Sequence, residues 1–165
     1  MSNLIILVKN LVKKYGAFEA VKGISFDVME GEIFGLLGPN GAGKSTTLEI
    51  IETLRAKTSG EVWVDGFNLD KDPDAIKQRI GVQLQTSGFY PGLNLVELID
   101  LFAGLYNKRV NAKELLRSVN LEDKARSKYK DLSGGQKQRF SIATTLIHNP
   151  KIIFLDEPTT GLDPQ

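Results

Sequence analysis

The chain has 165 residues, 41% hydrophobic and 25% charged, which suits a folded globular domain with its own core. With 21 Lys and Arg against 20 Asp and Glu, its formal net charge is +1, so no overall bias favours nucleic acid or an acidic surface as partner. It has no cysteine, which excludes disulfides and thiol chemistry, and no run of about 18 apolar residues that would cross a membrane.

The first ten residues carry an apolar run with no positive charge before it, so neither a signal peptide nor a span is expected there. Any membrane role is expected to come through a partner. Leu4–Lys14 and Ala20–Val28 have strand-like content, and Gly31 and Glu32 read as a turn. Ile33–Leu37 is a short apolar run that predicts a buried strand, and Ser45–Leu54 predicts a helix. Ser59 and Gly60 mark a turn before a strand over Glu61–Asp65, where Trp63 is expected to pack or cover an edge. Asp74–Arg79 reads as a helix and Ile80–Leu84 as a return to strand.

From Leu93 the pattern changes. Leu95, Leu98, Ile99, Phe102 and Leu105 have helical spacing, and Asn111 is a good N-cap for a helix running to Val119. Asn107–Asp131 holds eight Lys/Arg against four Asp/Glu, which reads as a solvated helical face. This stretch predicts a helical insertion between two strands of an α/β core. A further helix is expected from about Gly135 to Ile147, stopping near Pro150. Ile152–Leu155 then reads as a buried strand ending in Asp156 and Glu157.

Two motifs carry chemistry. Gly38, Pro39, Asn40, Gly41, Ala42, Gly43, Lys44 and Ser45 fit the pattern G-x-x-x-x-G-K-[ST], between an expected strand and an expected helix. Glycines there let amide N–H groups crowd around phosphate, and a helix N-terminus adds a favourable dipole. Lys44 is expected on the β- and γ-phosphates of a nucleoside triphosphate and Ser45 on Mg2+, while Thr46 offers a further hydroxyl and N–H. The acidic strand end is the natural partner: Asp156 for Mg2+, directly or through water, and Glu157 as the general base for the attacking water.

Leu132–Gln136 reads L-S-G-G-Q, a second Gly-rich turn lying between the phosphate loop and the acidic strand end. With that order the chain, from Tyr15 to its last residue, resembles the ATP-binding cassette (ABC) ATPases. The resemblance implies an α/β P-loop NTPase fold: a RecA-like core sheet, an N-terminal antiparallel β-subdomain, and a helical insertion over about 86–135 of one domain, 1–165. It implies that Ser133, Gly134, Gly135 and Gln136 contact the γ-phosphate held by an opposite subunit, as a hydroxyl and N–H groups at a helix start can. It places Tyr15 as the aromatic that stacks on adenine. It makes Gln85, with Gln83 as a rival, the glutamine that senses Mg2+ or the attacking water. Gly161, Leu162 and Asp163 match the D-loop that crosses the dimer interface. His148 does not match the family's γ-phosphate histidine, which belongs on a strand well after the D-loop, and a capping or surface role is expected instead.

The function implied is ATP binding and hydrolysis coupled to transport. The implied partners are a second ATP-binding domain, in a homodimer or heterodimer, and an integral membrane permease subunit, with no nucleic acid. The implied place is the cytoplasmic face of the cell membrane, held there through that permease. Gln85–Leu105 looks most like bacterial drug- and polysaccharide-type exporters. Family members continue beyond the D-loop, so the last part of the core, with the switch histidine and a central strand, is expected to lie outside these residues. The isolated chain is accordingly expected to be a poor ATPase. Rival classes are a soluble ABC ATPase without transport, a nucleoside or shikimate-type kinase, and a module that binds ATP without hydrolysing it. The Gln85–Leu132 interval is too short for a long coiled-coil insertion, only one cassette is present, and a kinase would lack the Ser133 turn.

Overall fold

The computed structural model describes residues 3–83 and 88–155. The chain forms two compact units, residues 1–80 and 81–165. In the first unit, β1 (Leu4–Tyr15) and β2 (Phe18–Met29) form a long antiparallel hairpin, closed where Tyr15 faces Phe18. β3 (Ser59–Val64) runs antiparallel to β1, and β4 (Phe67–Asn68) antiparallel to β3. The order across the sheet is β2-β1-β3-β4. One face of β3 buries Val62 and Val64, while Glu61 and Trp63 point the other way, the period-2 alternation of a half-buried strand.

Two helices complete this unit. α1 (Lys44–Ile51) buries Thr47, Ile50 and Ile51, and α2 (Pro73–Lys77) starts with proline at its first position and buries Ile76. Proline is favoured there because its missing N–H would be unpaired in any case. The start of α1 lies tight on β2: a Cβ on Gly43 would come within 2.3 Å of the Ala20 carbonyl oxygen, and Gly43 has φ 84°. Only glycine meets both conditions.

The apolar run Ile33–Leu37 is not the buried strand its sequence predicts. It belongs to neither described sheet; Ile33 and Leu37 are 101% and 92% exposed, and Phe34 stacks on Phe26 of β2 at 5.1 Å. A strand exists only where a neighbour pairs its N–H and C=O groups, and none of the described strands does so here.

The second unit pairs β5 (Ile80–Gln83) with β6 (Ile152–Leu155) and packs three helices, α3 (Leu95–Leu105), α4 (Ala112–Ser118) and α5 (Gly134–Thr145). Leu98, Ile99, Leu116, Leu121 and Phe140 are fully buried in one helical core. Burying each such side chain contributes about 1.5–3 kcal/mol. Phe89 sits against the rings of Phe102, Tyr129 and Phe140, with centroids 5.6, 4.7 and 5.2 Å away. Leu105, part of the apolar stripe in the sequence, is exposed; the buried row continues at Ala103 instead. Gly81 passes so close to α5 that a Cβ would lie 2.5 Å from the Thr145 carbonyl oxygen.

The helix starts follow local chemistry. Asn94 accepts from the Glu97 N–H at 3.0 Å while Glu97 accepts from the Asn94 N–H at 2.8 Å, a reciprocal capping box. Asn111 caps α4 as expected, accepting from the Glu114 N–H at 3.4 Å. The basic stretch is a solvated surface in which Arg117 makes a two-pronged pair with Glu122 at 2.8 and 2.9 Å. β6 differs from its reading as a buried strand: Phe154 is buried, but Ile153 and Leu155 are 42% and 39% exposed among the described residues. His148, read as a cap or surface residue, is only 6% exposed and stacks flat on Tyr106 with ring centroids 4.2 Å apart. The turn after α5 carries it inward, where the flat imidazole packs as a ring against Tyr106.

Candidate functional site

Residues 38–43 are exposed or half-buried loop leading directly into α1. Gly41 and Gly43 have φ 81° and 84°, left-handed angles that keep the backbone curled. The Ala42 N–H donates to the Pro39 carbonyl at 3.2 Å, and the Lys44 ammonium donates to the carbonyls of Gly38 and Pro39 at 2.8 and 2.9 Å. The lysine thus reaches back over the loop that precedes it. No side chain caps α1, and its first backbone acceptor, Gly43 O, takes the Thr47 N–H at 2.8 Å. The N–H groups of the first turn therefore lack the side-chain acceptor that most helix starts supply, and with the helix dipole they suit an anion. The exposed Ser45 and half-buried Thr46 add hydroxyls at that end.

Those features fit the phosphates of a nucleotide. Ser45 supplies the hard oxygen that Mg2+ prefers. Among the described residues no group of three acidic or histidine side chains is placed to hold a metal. The other expected metal and catalytic residues, Gln85, Asp156 and Glu157, lie outside the described residues, as do Gly161–Asp163.

Tyr15 ends β1 and is 43% exposed, open enough to stack on a base. Its hydroxyl accepts from Arg55 Nη1 at 2.6 Å, and Arg55 Nε donates to the Glu49 carboxylate. Glu49 holds the Arg55 guanidinium above its usual pKa, chiefly through that hydrogen bond. Arg55 belongs to no motif in the sequence. Its partner lies 40 residues away across a β-hairpin, and no spacing rule links them.

In the second unit, Leu132 is buried in the helical core while Ser133 and Gly134 are exposed. Ser133 is the N-cap of α5: its Oγ accepts from the Gln136 N–H at 3.3 Å, and Gln136 Oε1 accepts from the Ser133 N–H at 2.9 Å. The turn is therefore preformed, held from below by Leu132 and closed on itself by Ser133 and Gln136. The Ser133 O–H can still donate, and the N–H groups of Gly134 and Gly135 open the helix. Gln83, the rival for the sensing role, is buried on β5, with Oε1 lacking a hydrogen-bond partner among the described residues.

A curled Gly-rich loop feeding an uncapped helix, with a second, self-capped Gly-rich helix start, defines a nucleotide-binding domain of the P-loop class. A family model described as ABC transporter matches residues 21–160, most of the chain. The chain belongs to the ABC transporter ATP-binding family. It is 41% identical over 162 residues to the linearmycin resistance ATP-binding protein LnrL of Bacillus subtilis (strain 168), covering 95% of this chain and 52% of that protein. It is 39% identical over 165 residues to the probable multidrug ABC transporter ATP-binding protein YbhF of Escherichia coli (strain K12), covering 97% of this chain and 28% of that one. The chain thus spans about half of LnrL and less of YbhF.

Among solved structures, it resembles an ATP-binding subunit of an ABC transporter with TM-score 0.82 and 32% identity, over 97% of this chain and 69% of the other. It also resembles the dimeric post-hydrolysis state of the ATP-binding cassette MJ0796 bound to ADP and Pi, with TM-score 0.81 and 35% identity, over 96% and 76%. The fold is that of the P-loop NTPase cassette expected from the sequence. No helix among the described residues is long and apolar enough to cross a membrane.

Proposed function

We propose that this chain is the ATP-binding part of an ABC transporter and that it hydrolyses ATP when assembled with a second such domain. Its own nucleotide sits on the phosphate loop, residues 38–46, with Tyr15 under the adenine. Ser133, Gly134, Gly135 and Gln136 serve the nucleotide held by the neighbouring domain. Hydrolysis then separates the two domains, and an integral membrane subunit turns that motion into transport. The resistance and multidrug names of LnrL and YbhF favour a drug-like molecule as the transported substrate, and export as its direction. The working place is the cytoplasmic face of the cell membrane, where the permease holds the chain.

The observation that carries this reading is the uncapped start of α1 beneath a loop whose carbonyls are held by Lys44. Lys44 presents a charge to phosphate, and the first-turn N–H groups surround it. Bound Mg2+ would neutralise charge developing on the transferred phosphoryl group, with Ser45, Asp156 and Gln85 as its protein ligands. Glu157 would accept a proton from the attacking water.

Calorimetric titration with MgATP tests the reading. Lys44→Ala should weaken binding by about a hundredfold or more, the scale of a lost charge-assisted contact in a phosphate site. Wild-type affinity in that variant would remove the phosphate loop from the account.

A further inference from the structure

Arg55 joins the two ends of the proposed nucleotide site. Its side-chain Nε donates to the Glu49 carboxylate, its backbone N–H donates to the Glu49 carbonyl at 3.0 Å, and its Nη1 donates to the Tyr15 hydroxyl at 2.6 Å. Glu49 lies on α1, the helix that Lys44 begins. An unbroken series of contacts therefore runs from the phosphate helix through Glu49 and Arg55 to the aromatic ring.

Lys13 adds a second constraint. Its ammonium lies over the Tyr15 ring, 4.9 Å from the centroid, and donates to the Ala56 carbonyl at 2.7 Å. The segment after α1 is tied back to β1 again where the Thr58 N–H donates to the Val12 carbonyl and the Lys14 N–H to Thr58 Oγ1, at 2.8 and 2.9 Å. One face of the ring is thus covered by Lys13, and its hydroxyl is held by Arg55. The Arg55 guanidinium also lies over the ring, 5.6 Å from the centroid, so a base that stacks on Tyr15 meets a ring already fixed in direction.

Given the reading of Tyr15 and residues 38–46 as an ATP site, we infer that Arg55 is a positioning residue for the nucleotide base. It is anchored by Glu49 on the phosphate helix and sets the Tyr15 ring before adenine arrives. Arg55 touches neither phosphate nor base in this account. A half-exposed tyrosine without such a tie must lose rotamer freedom on binding, which lowers affinity. The effect belongs to ligands that carry a base and is absent for phosphate alone.

That difference gives the test. MgATP and magnesium tripolyphosphate are titrated against the wild-type chain, Arg55→Met, Arg55→Lys, Tyr15→Phe and the Arg55→Met/Tyr15→Phe pair, with Lys44→Ala as reference. Arg55→Met should weaken MgATP about threefold to tenfold and leave tripolyphosphate unchanged, in keeping with the cost of ordering one side chain. Tyr15→Phe, which keeps the ring and removes the hydroxyl, should lose as much. The double variant should lose no more than the worse single, because both cut the same link. Arg55→Lys should recover part of the loss. Wild-type MgATP affinity in Arg55→Met, an equal loss for tripolyphosphate, or additive losses in the double variant would each overturn the inference. Failure of the ATP-site reading itself looks different: Lys44→Ala would then bind both ligands as the wild type does, or the wild type would bind neither.

Discussion

The two Gly-rich helix starts of this chain are built in opposite ways. α1 opens without any side-chain cap, and the lysine at its first position reaches back to two carbonyls of the preceding loop. α5 opens with a closed capping box between Ser133 and Gln136. A helix N-terminus holds N–H groups in need of acceptors, and the two sites differ in who supplies them. At α1 no side chain supplies the acceptor, which leaves the first-turn N–H groups to water or a ligand, so this end is suited to bind an anion in its own right. At α5 the protein supplies part of it, so the turn holds its shape without a ligand and offers only its exposed hydroxyl and remaining amides. On the function proposed above, the first serves as a receptor and the second as a preformed contact surface for a nucleotide bound elsewhere.

Substitutions at the two starts should separate these roles. The largest stability effect is expected for Gly43→Ala, which places a Cβ 2.3 Å from the Ala20 carbonyl oxygen at a left-handed φ. It should lose about 2–4 kcal/mol, read as a fall in the urea midpoint, together with MgATP binding. Near-wild-type stability would mean that α1 need not sit so close to β2. Ser133→Ala should cost about 1 kcal/mol through the lost N-cap and leave MgATP affinity of the isolated chain unchanged. Gln136→Ala should cost less, about 0.5 kcal/mol, since it leaves a solvent-accessible N–H to water. A loss of the isolated chain's MgATP affinity in either variant would make the two helix starts parts of one site.

What the sequence disclosed follows from how local each signal is. The helix start at Asn111 was legible because a cap is written within four residues, the start at Ser133 came with the family resemblance, and the equally local box at Asn94 was missed. The strands β1 and β2 were legible from strand-like content and β3 from alternation after a turn, while the hairpin pairing of the first two emerges only in the structure. Ile33–Leu37 was misread because an apolar run specifies burial only if other strands pair with it, and pairing is not a local property. The inward turn of His148 onto Tyr106 depends on α3 and the end of α5 meeting, which spacing along one helix does not reveal. The phosphate loop and the Ser133 turn stood out as motifs because their chemistry demands glycines at fixed spacing. The Glu49–Arg55–Tyr15 series had no motif to announce it, since a salt bridge and one hydrogen bond across 40 residues leave no pattern.

The most direct measurement of the central claim is the association of mixed variants. Lys44→Ala spoils the receptor and keeps the contact surface, while Ser133→Arg keeps the receptor and blocks the surface. Sedimentation velocity in MgATP should show each variant alone remaining monomeric and an equimolar mixture forming a dimer, because only the mixture pairs an intact phosphate loop with an intact Ser133 turn. A mixture that stays monomeric while the wild-type chain dimerises, or a Ser133→Arg chain that dimerises as well as the wild type, would contradict the assignment of the two helix starts to two partners.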